Sequence, residues 1–147
     1  MIDISVEQII SIARQAGEDI LTLYHSDTID IWQKADHSPL TEADLLAHRT
    51  IVNELKQLTP DIPIISEESI NEEYQARAKW NCFWLVDPLD GTKSFLKRND
   101  QFTVNIALIS EHQPILGVIY SPVADKLYYA MKGEGAYRQI GKNPVEK

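Results

Sequence analysis

Apolar residues recur at steps of four and three between Val6 and Tyr24, at Ile9, Ala13, Ala16, Ile20 and Leu23. That period predicts a helix with one buried face. Ser5 is a residue type that caps a helix start. The stretch 28–34, TIDIWQK, alternates like a short strand, and ADHSPL after it reads as a loop from its Asp, Ser and Pro content. A second stripe, Ala43, Ala47, Ile51, Leu55 and Leu58, predicts another helix capped by Thr41 and ended before Pro60. IPIIS (62–66) reads as a buried strand that delivers Glu67 and Glu68 at its carboxyl end. The polar stretch 71–79 reads as a surface helix or loop.

Beyond that stretch the period changes from helical to strand-like. CFWLV (82–86), FTVNIALIS (102–110), QPILGVIYSP (113–122), KLYYAM (126–131) and GAYRQI (135–140) all read as strands separated by short turns. Gly133 to Gly135 lacks a full dinucleotide-loop pattern and reads as a hairpin turn. Two helices followed by a meander of strands predict an α+β layered sandwich, with two N-terminal helices packed on a largely antiparallel sheet. Residues 1–147 are the size of one domain, and the 44% hydrophobic content is enough for a core.

Charge and cysteine content narrow the function classes. With 22 acidic and 14 basic residues the net charge is -8, which disfavours nucleic acid polymers as partners. Acids gathered at one place could still hold hard cations that attract an anionic substrate. Cys82 is the single cysteine, so one chain can form neither a disulfide nor a cysteine-based zinc site. In an apolar strand it reads as a buried structural thiol. The N-terminus carries acids where a signal peptide has its basic region, and no apolar run is long enough to span a bilayer. A cytoplasmic location is therefore expected. His25, His37, His48 and His112 are scattered and read as surface or packing residues.

Two predicted strand ends are acidic, IISEES and WLVDPLDGT. Asp87 and Asp90, bracketing a turn at Pro88, could hold two neighbouring Mg²⁺ ions, with the Leu89 carbonyl as a neutral ligand and Glu67 completing the first ion's shell. Two such ions can clamp an in-line phosphoryl displacement and bring the pKa of a bound water from about 15.7 to about 7. Thr92 suits the orientation of that water, and Asp44, three residues past the Thr41 cap, suits receipt of its proton. A helical turn opening at Gly91, Thr92 and Lys93 would offer backbone N–H groups to phosphate. Asp44 is also the acidic residue expected of a capping box. Lys93, Lys97 and Arg98 form either a basic lip for a second phosphate or a solvated charge run.

DPLDGTKSF, preceded by SEES and by DHSPLTEAD, resembles the inositol monophosphatase superfamily of magnesium-dependent, lithium-sensitive phosphatases. Lys93, Phe95, SPLTEAD and FLKRNDQFTVNIALI make it most similar to the 3'(2'),5'-bisphosphate nucleotidases of the bacterial CysQ type. The resemblance implies two or three Mg²⁺ ions held by Glu67, Asp87, the Leu89 carbonyl and Asp90. It also implies substrate contacts from Glu67, Leu89, Asp90, Gly91 and Thr92, and water activation by Asp44 and Thr92. The implied reaction converts adenosine 3',5'-bisphosphate, a nucleotide of sulfate assimilation, to AMP and phosphate. Peripheral association with the cytoplasmic side of the inner membrane is compatible with it. Family members continue into a second α/β half with a Trp-Asp-x-Ala-Ala-Gly motif, so residues 1–147 correspond to the amino-terminal metal-binding domain.

Rival readings are weighed by their own marks. An aspartyl-phosphate phosphatase spaces its aspartates by one residue, whereas Asp87 and Asp90 are separated by two. An EF-hand fails because Arg98 stands where the twelfth-position Glu is required. Within the family resemblance, a phosphatase of another substrate or an inactive remnant that only binds metal remains, and a remnant predicts an uncovered apolar face.

Overall fold

The computed structural model describes residues 4–25, 31–33, 39–66 and 80–147. Helices α1 (Val6–Tyr24) and α2 (Glu42–Leu58) occupy the two apolar stripes. α1 buries Ile9, Ala13, Ala16 and Ile20, and α2 buries Ala43, Ala47, Ile51 and Leu55. The two helices pack on each other, and the Thr50 hydroxyl of α2 donates to Asp19 of α1 at 2.5 Å. At the end of α2 the Thr59 hydroxyl donates to the Leu55 carbonyl and accepts from the Trp84 indole N–H, at 3.0 and 2.9 Å. Pro60 follows, where the helix cannot continue.

Under the helices lies one six-stranded sheet in the order β3 (Ile64–Ser66), β4 (Cys82–Asp90), β5 (Thr103–Ser110), β6 (Gln113–Ser121), β7 (Lys126–Met131), β8 (Gly135–Ile140). β3 runs parallel to β4 and every other neighbouring pair is antiparallel, so the sheet is largely antiparallel as the pattern predicts. A five-residue helix, α3 (Thr92–Leu96), leaves the end of β4. A separate two-stranded ladder joins β1 (Ile31–Gln33) to β2 (Pro39–Thr41), which runs directly into α2.

Side-chain alternation gives the sheet two unlike faces. Trp84, Val86, Val104, Ile106, Leu108, Leu116, Val118 and Leu127 are buried in the core shared with the helices. Full burial of side chains of this kind contributes about 1.5 to 3 kcal/mol each. Gly17 is where α1 comes closest to the sheet, because a Cβ there would lie 2.6 Å from the Tyr120 ring. On β4, β6 and β7 the alternate positions Leu85, Ile119 and Tyr128 are 47%, 46% and 41% exposed. A groove of about 370 Å³ runs on that face from Leu85 and Ile119 to Asp87 and Asn105. The uncovered apolar face that one reading predicts is thus present.

Three expectations need correction. Pro39 and Leu40 are not loop but strand, because proline's fixed φ suits the first position of an extended segment. The segment Asp87 to Asp90 is not a turn after the strand but the last part of β4. Cys82 is half-buried instead of enclosed, with burial still raising its pKa. Residues 28–30, 34 and 71–79, parts of other expected elements, lie outside the described residues.

Candidate active site

The site is built where β4 loses its regular pairing. Asp87 pairs with Asn105 and Asp90 with Thr103, so Pro88 and Leu89 together face the single residue Val104. Proline has no N–H to give the ladder, and a bulge is one of the few places a sheet tolerates it. Leu89 is buried and anchors the bulge in the core, while Asp87 is half-buried and Asp90 exposed. Asp87 thereby shares a face with Leu85 and Asn105 along the open groove.

Gly91 then turns the chain. Its φ of 95° lies in the left-handed region, and a Cβ on it would stand 2.8 Å from the Gln101 carbonyl oxygen. Only glycine satisfies both conditions without strain. α3 is too short to hold itself. It is pinned by Phe95, whose ring packs against Tyr24 and Phe102 with centroids 5.3 and 5.4 Å apart. Lys93 and Lys97 on this segment are exposed. Arg98 is committed elsewhere: its guanidinium donates to the Tyr24 carbonyl at the end of α1 and lies 5.3 Å over the Tyr24 ring. A carbonyl at a helix end is a ready acceptor for it.

The fold brings Thr92 to Asp44. The Thr92 hydroxyl donates to Asp44 Oδ1 at 2.8 Å. Asp44 Oδ2 accepts from the Thr41 backbone N–H at 3.0 Å and also from the Thr41 hydroxyl. The Asp44 N–H in turn donates to Thr41 Oγ1 at 3.2 Å, so the capping box and the Thr92 contact use opposite oxygens of one fully buried carboxylate. Asp44 is thus the capping-box residue and the acceptor of the Thr92 hydroxyl at once.

α2 makes a second connection one turn further on. His48 Nδ1 lies 2.8 Å from the hydroxyl of Ser66, the last residue of β3 and itself 2% exposed. Burial, followed by the Lys56 and Arg49 charges, lowers the His48 pKa, which keeps the ring neutral near pH 7. In the sequence His48 stands among scattered histidines. Its spacing of four from Asp44, which puts both on one helix face, is the signal that marks it. His25 is exposed at the end of α1, His112 is exposed in the β5–β6 turn, and His37 lies outside the described residues.

Among the described residues no three His, Cys, Asp or Glu side chains form a cluster. Glu67 and Glu68 follow Ser66 directly and lie outside the described residues. The donors at the bulge, Asp87 and Asp90, are hard oxygen ligands, which fit Mg²⁺ in preference to softer metals. No helix among the described residues is long and apolar enough to cross a membrane.

Helices on one face of a six-stranded sheet, with acids on a bulged strand beside a capped helix, have a family counterpart. The chain belongs to the inositol monophosphatase family, whose family model matches residues 4–147. It is similar to the 3'(2'),5'-bisphosphate nucleotidase CysQ of Escherichia coli K12, at 47% identity over 92% of this chain and 55% of that protein. The crystal structure of CysQ from Bacteroides thetaiotaomicron matches with a TM-score of 0.79 and 47% identity, over 92% of this chain and 49% of the other. An IMPase/NADP phosphatase crystallised with Mg²⁺ and phosphate matches with a TM-score of 0.78 and 26% identity, over 90% of this chain and 49% of that one. The chain thus spans about half the length of the relatives it matches.

Proposed function

We propose that the chain is the amino-terminal, metal-binding domain of a Mg²⁺-dependent phosphatase that hydrolyses adenosine 3',5'-bisphosphate to AMP and phosphate in the cytoplasm. The observation that carries this reading is the 2.8 Å hydrogen bond from Thr92 to Asp44, placed just past the Asp87 to Asp90 bulge. The likeness to a 3'(2'),5'-bisphosphate nucleotidase supports the substrate class.

Asp87, Asp90, the Leu89 carbonyl and Glu67 would hold two or three Mg²⁺ ions, which polarise phosphoryl oxygens and acidify water when bound. Thr92 supplies the rest of the proton path. Its hydroxyl proton is directed at Asp44 Oδ1, which leaves the oxygen's lone pairs to accept from an attacking water. As the water oxygen bonds to the 3'-phosphorus, its proton passes to Thr92 Oγ while the Thr92 proton passes to Asp44. The phosphorus to O3' bond breaks, and the departing oxygen takes a proton from solvent. Gly91, at a φ of 95°, makes the turn that would aim the backbone from Leu89 to Thr92 at the phosphate.

The test is phosphate release from adenosine 3',5'-bisphosphate by the natural gene product at its full length, with Mg²⁺ and with the metal chelated. Mg²⁺-dependent release of one phosphate, with AMP as the other product, is expected. A folded protein that releases none from this substrate overturns the substrate assignment.

A further inference from the structure

α2 touches the ends of two neighbouring strands from one face. Asp44 receives Thr92 just beyond β4, and His48, one helical turn later, meets Ser66 at the end of β3. β3 is short and, among the described residues, lies at the edge of the sheet and pairs with β4 alone. Ser66 pairs with Val86, the residue before Asp87, and is followed in the chain by Glu67. The position of Ser66 therefore bears on the acidic end of β4.

The geometry points to His48 as a positioning residue that fixes the carboxyl end of β3 against α2 and so sets the affinity of the site for its divalent cation. The inference rests on the proposed metal site but not on the substrate. His48 acts through Ser66: its ring Nδ1 shares a hydrogen bond with a buried hydroxyl that would otherwise lose a partner held by a rigid helix. Hydrogen-bond partners behind metal ligands are worth about 10- to 100-fold in metal affinity. His48 stands one residue further back, so a loss of about 3- to 10-fold is expected from the same principle.

Two substitutions separate the hydrogen bond from the packing of the ring. His48→Phe keeps a ring and removes the nitrogen, whereas His48→Asn places an amide group where Nδ1 stands. Mg²⁺ dissociation constants are measured by titration calorimetry on the full-length gene product, beside thermal unfolding midpoints. His48→Phe and Ser66→Ala are each expected to weaken Mg²⁺ binding about 3- to 10-fold, with His48→Asn within about two-fold of wild type. The double variant His48→Phe/Ser66→Ala should be no weaker than the worse single one, because both remove the same bond. In kinetics the Mg²⁺ half-activation concentration should rise while KM for substrate at saturating Mg²⁺ stays put. Unchanged Mg²⁺ affinity in His48→Phe overturns the inference, as does an equal loss in His48→Asn or a multiplicative loss in the double variant. Mg²⁺ binding without hydrolysis of the bisphosphate sinks only the substrate assignment, and no Mg²⁺ binding by wild type sinks both.

Discussion

The hydroxyl of Thr92 sits 2.8 Å from Asp44 Oδ1, across 48 residues of chain, and points its proton at a carboxylate whose other oxygen caps α2. One buried side chain thus fixes the start of a helix and orients the Thr92 hydroxyl.

Removing either member should stop the chemistry and spare substrate binding. Thr92→Ala and Asp44→Asn are each expected to lower kcat by about 100- to 10,000-fold, the usual worth of a positioned proton acceptor. KM should move only a few-fold. Steady-state phosphate release checks this, and the double variant should lose little beyond the worse single one, because the two groups act as a unit.

The bulge acids should govern cation binding. Asp87→Asn and Asp90→Asn are expected to weaken Mg²⁺ affinity by at least about 100-fold, since partners behind a ligand already cost about 10- to 100-fold. Calorimetric titration reads the loss. Chelation of Mg²⁺ from the wild type should abolish activity and its restoration should return it.

At Gly91 an alanine must enter the left-handed region and press on the Gln101 carbonyl. Gly91→Ala should cost about 1 to 3 kcal/mol in urea unfolding, the range for a residue held at a strained backbone conformation. Because Thr92 is the next residue, kcat should fall along with stability.

Far from the acids, Gly17→Ala tests the packing of α1 on β6. Alanine favours a helix interior by about 1 kcal/mol over glycine. The added methyl would meet the Tyr120 ring at 2.6 Å, and that ring is restrained by its bond to Asp125 and by Arg14 lying 5.2 Å over it. Overpacking of this kind costs about 1 to 3 kcal/mol, so a net destabilisation of about 1 kcal/mol is expected. A higher midpoint in thermal unfolding would show that the ring yields.

Tyr120 should also shape the alkaline limit. Burial first, and then its hydrogen bond to Asp125 at 2.9 Å, push its pKa from 10.0 to about 12. The fold favours the protonated phenol, so this group's stabilisation is complete below about pH 10 and fades as pH rises through about 12. Tyrosinate absorbance during an alkaline titration should show a late component that Tyr120→Phe removes.

The local pattern is enough for the two long helices and for the largely antiparallel character of the sheet. The spacing of Ile9, Ala13, Ala16 and Ile20, and that of Ala43, Ala47, Ile51 and Leu55, is a property of neighbours along the chain, and the structure buries those same residues. The alternation in TVNIALIS likewise survives as buried Val104, Ile106 and Leu108. Pro88 was legible as a break but not as a kind of break. A proline after an apolar run fits a turn and a bulge equally well, and only the pairing of Asp87 with Asn105 and Asp90 with Thr103 decides for the bulge. The Thr92 to Asp44 bond and the His48 to Ser66 bond were beyond any local pattern in detail, because each joins residues from separate elements. Composition and spacing could put acids, a threonine and a histidine in the chain. Their meeting depends on how α2 lies across the ends of β3 and β4, which the packing of the whole core sets.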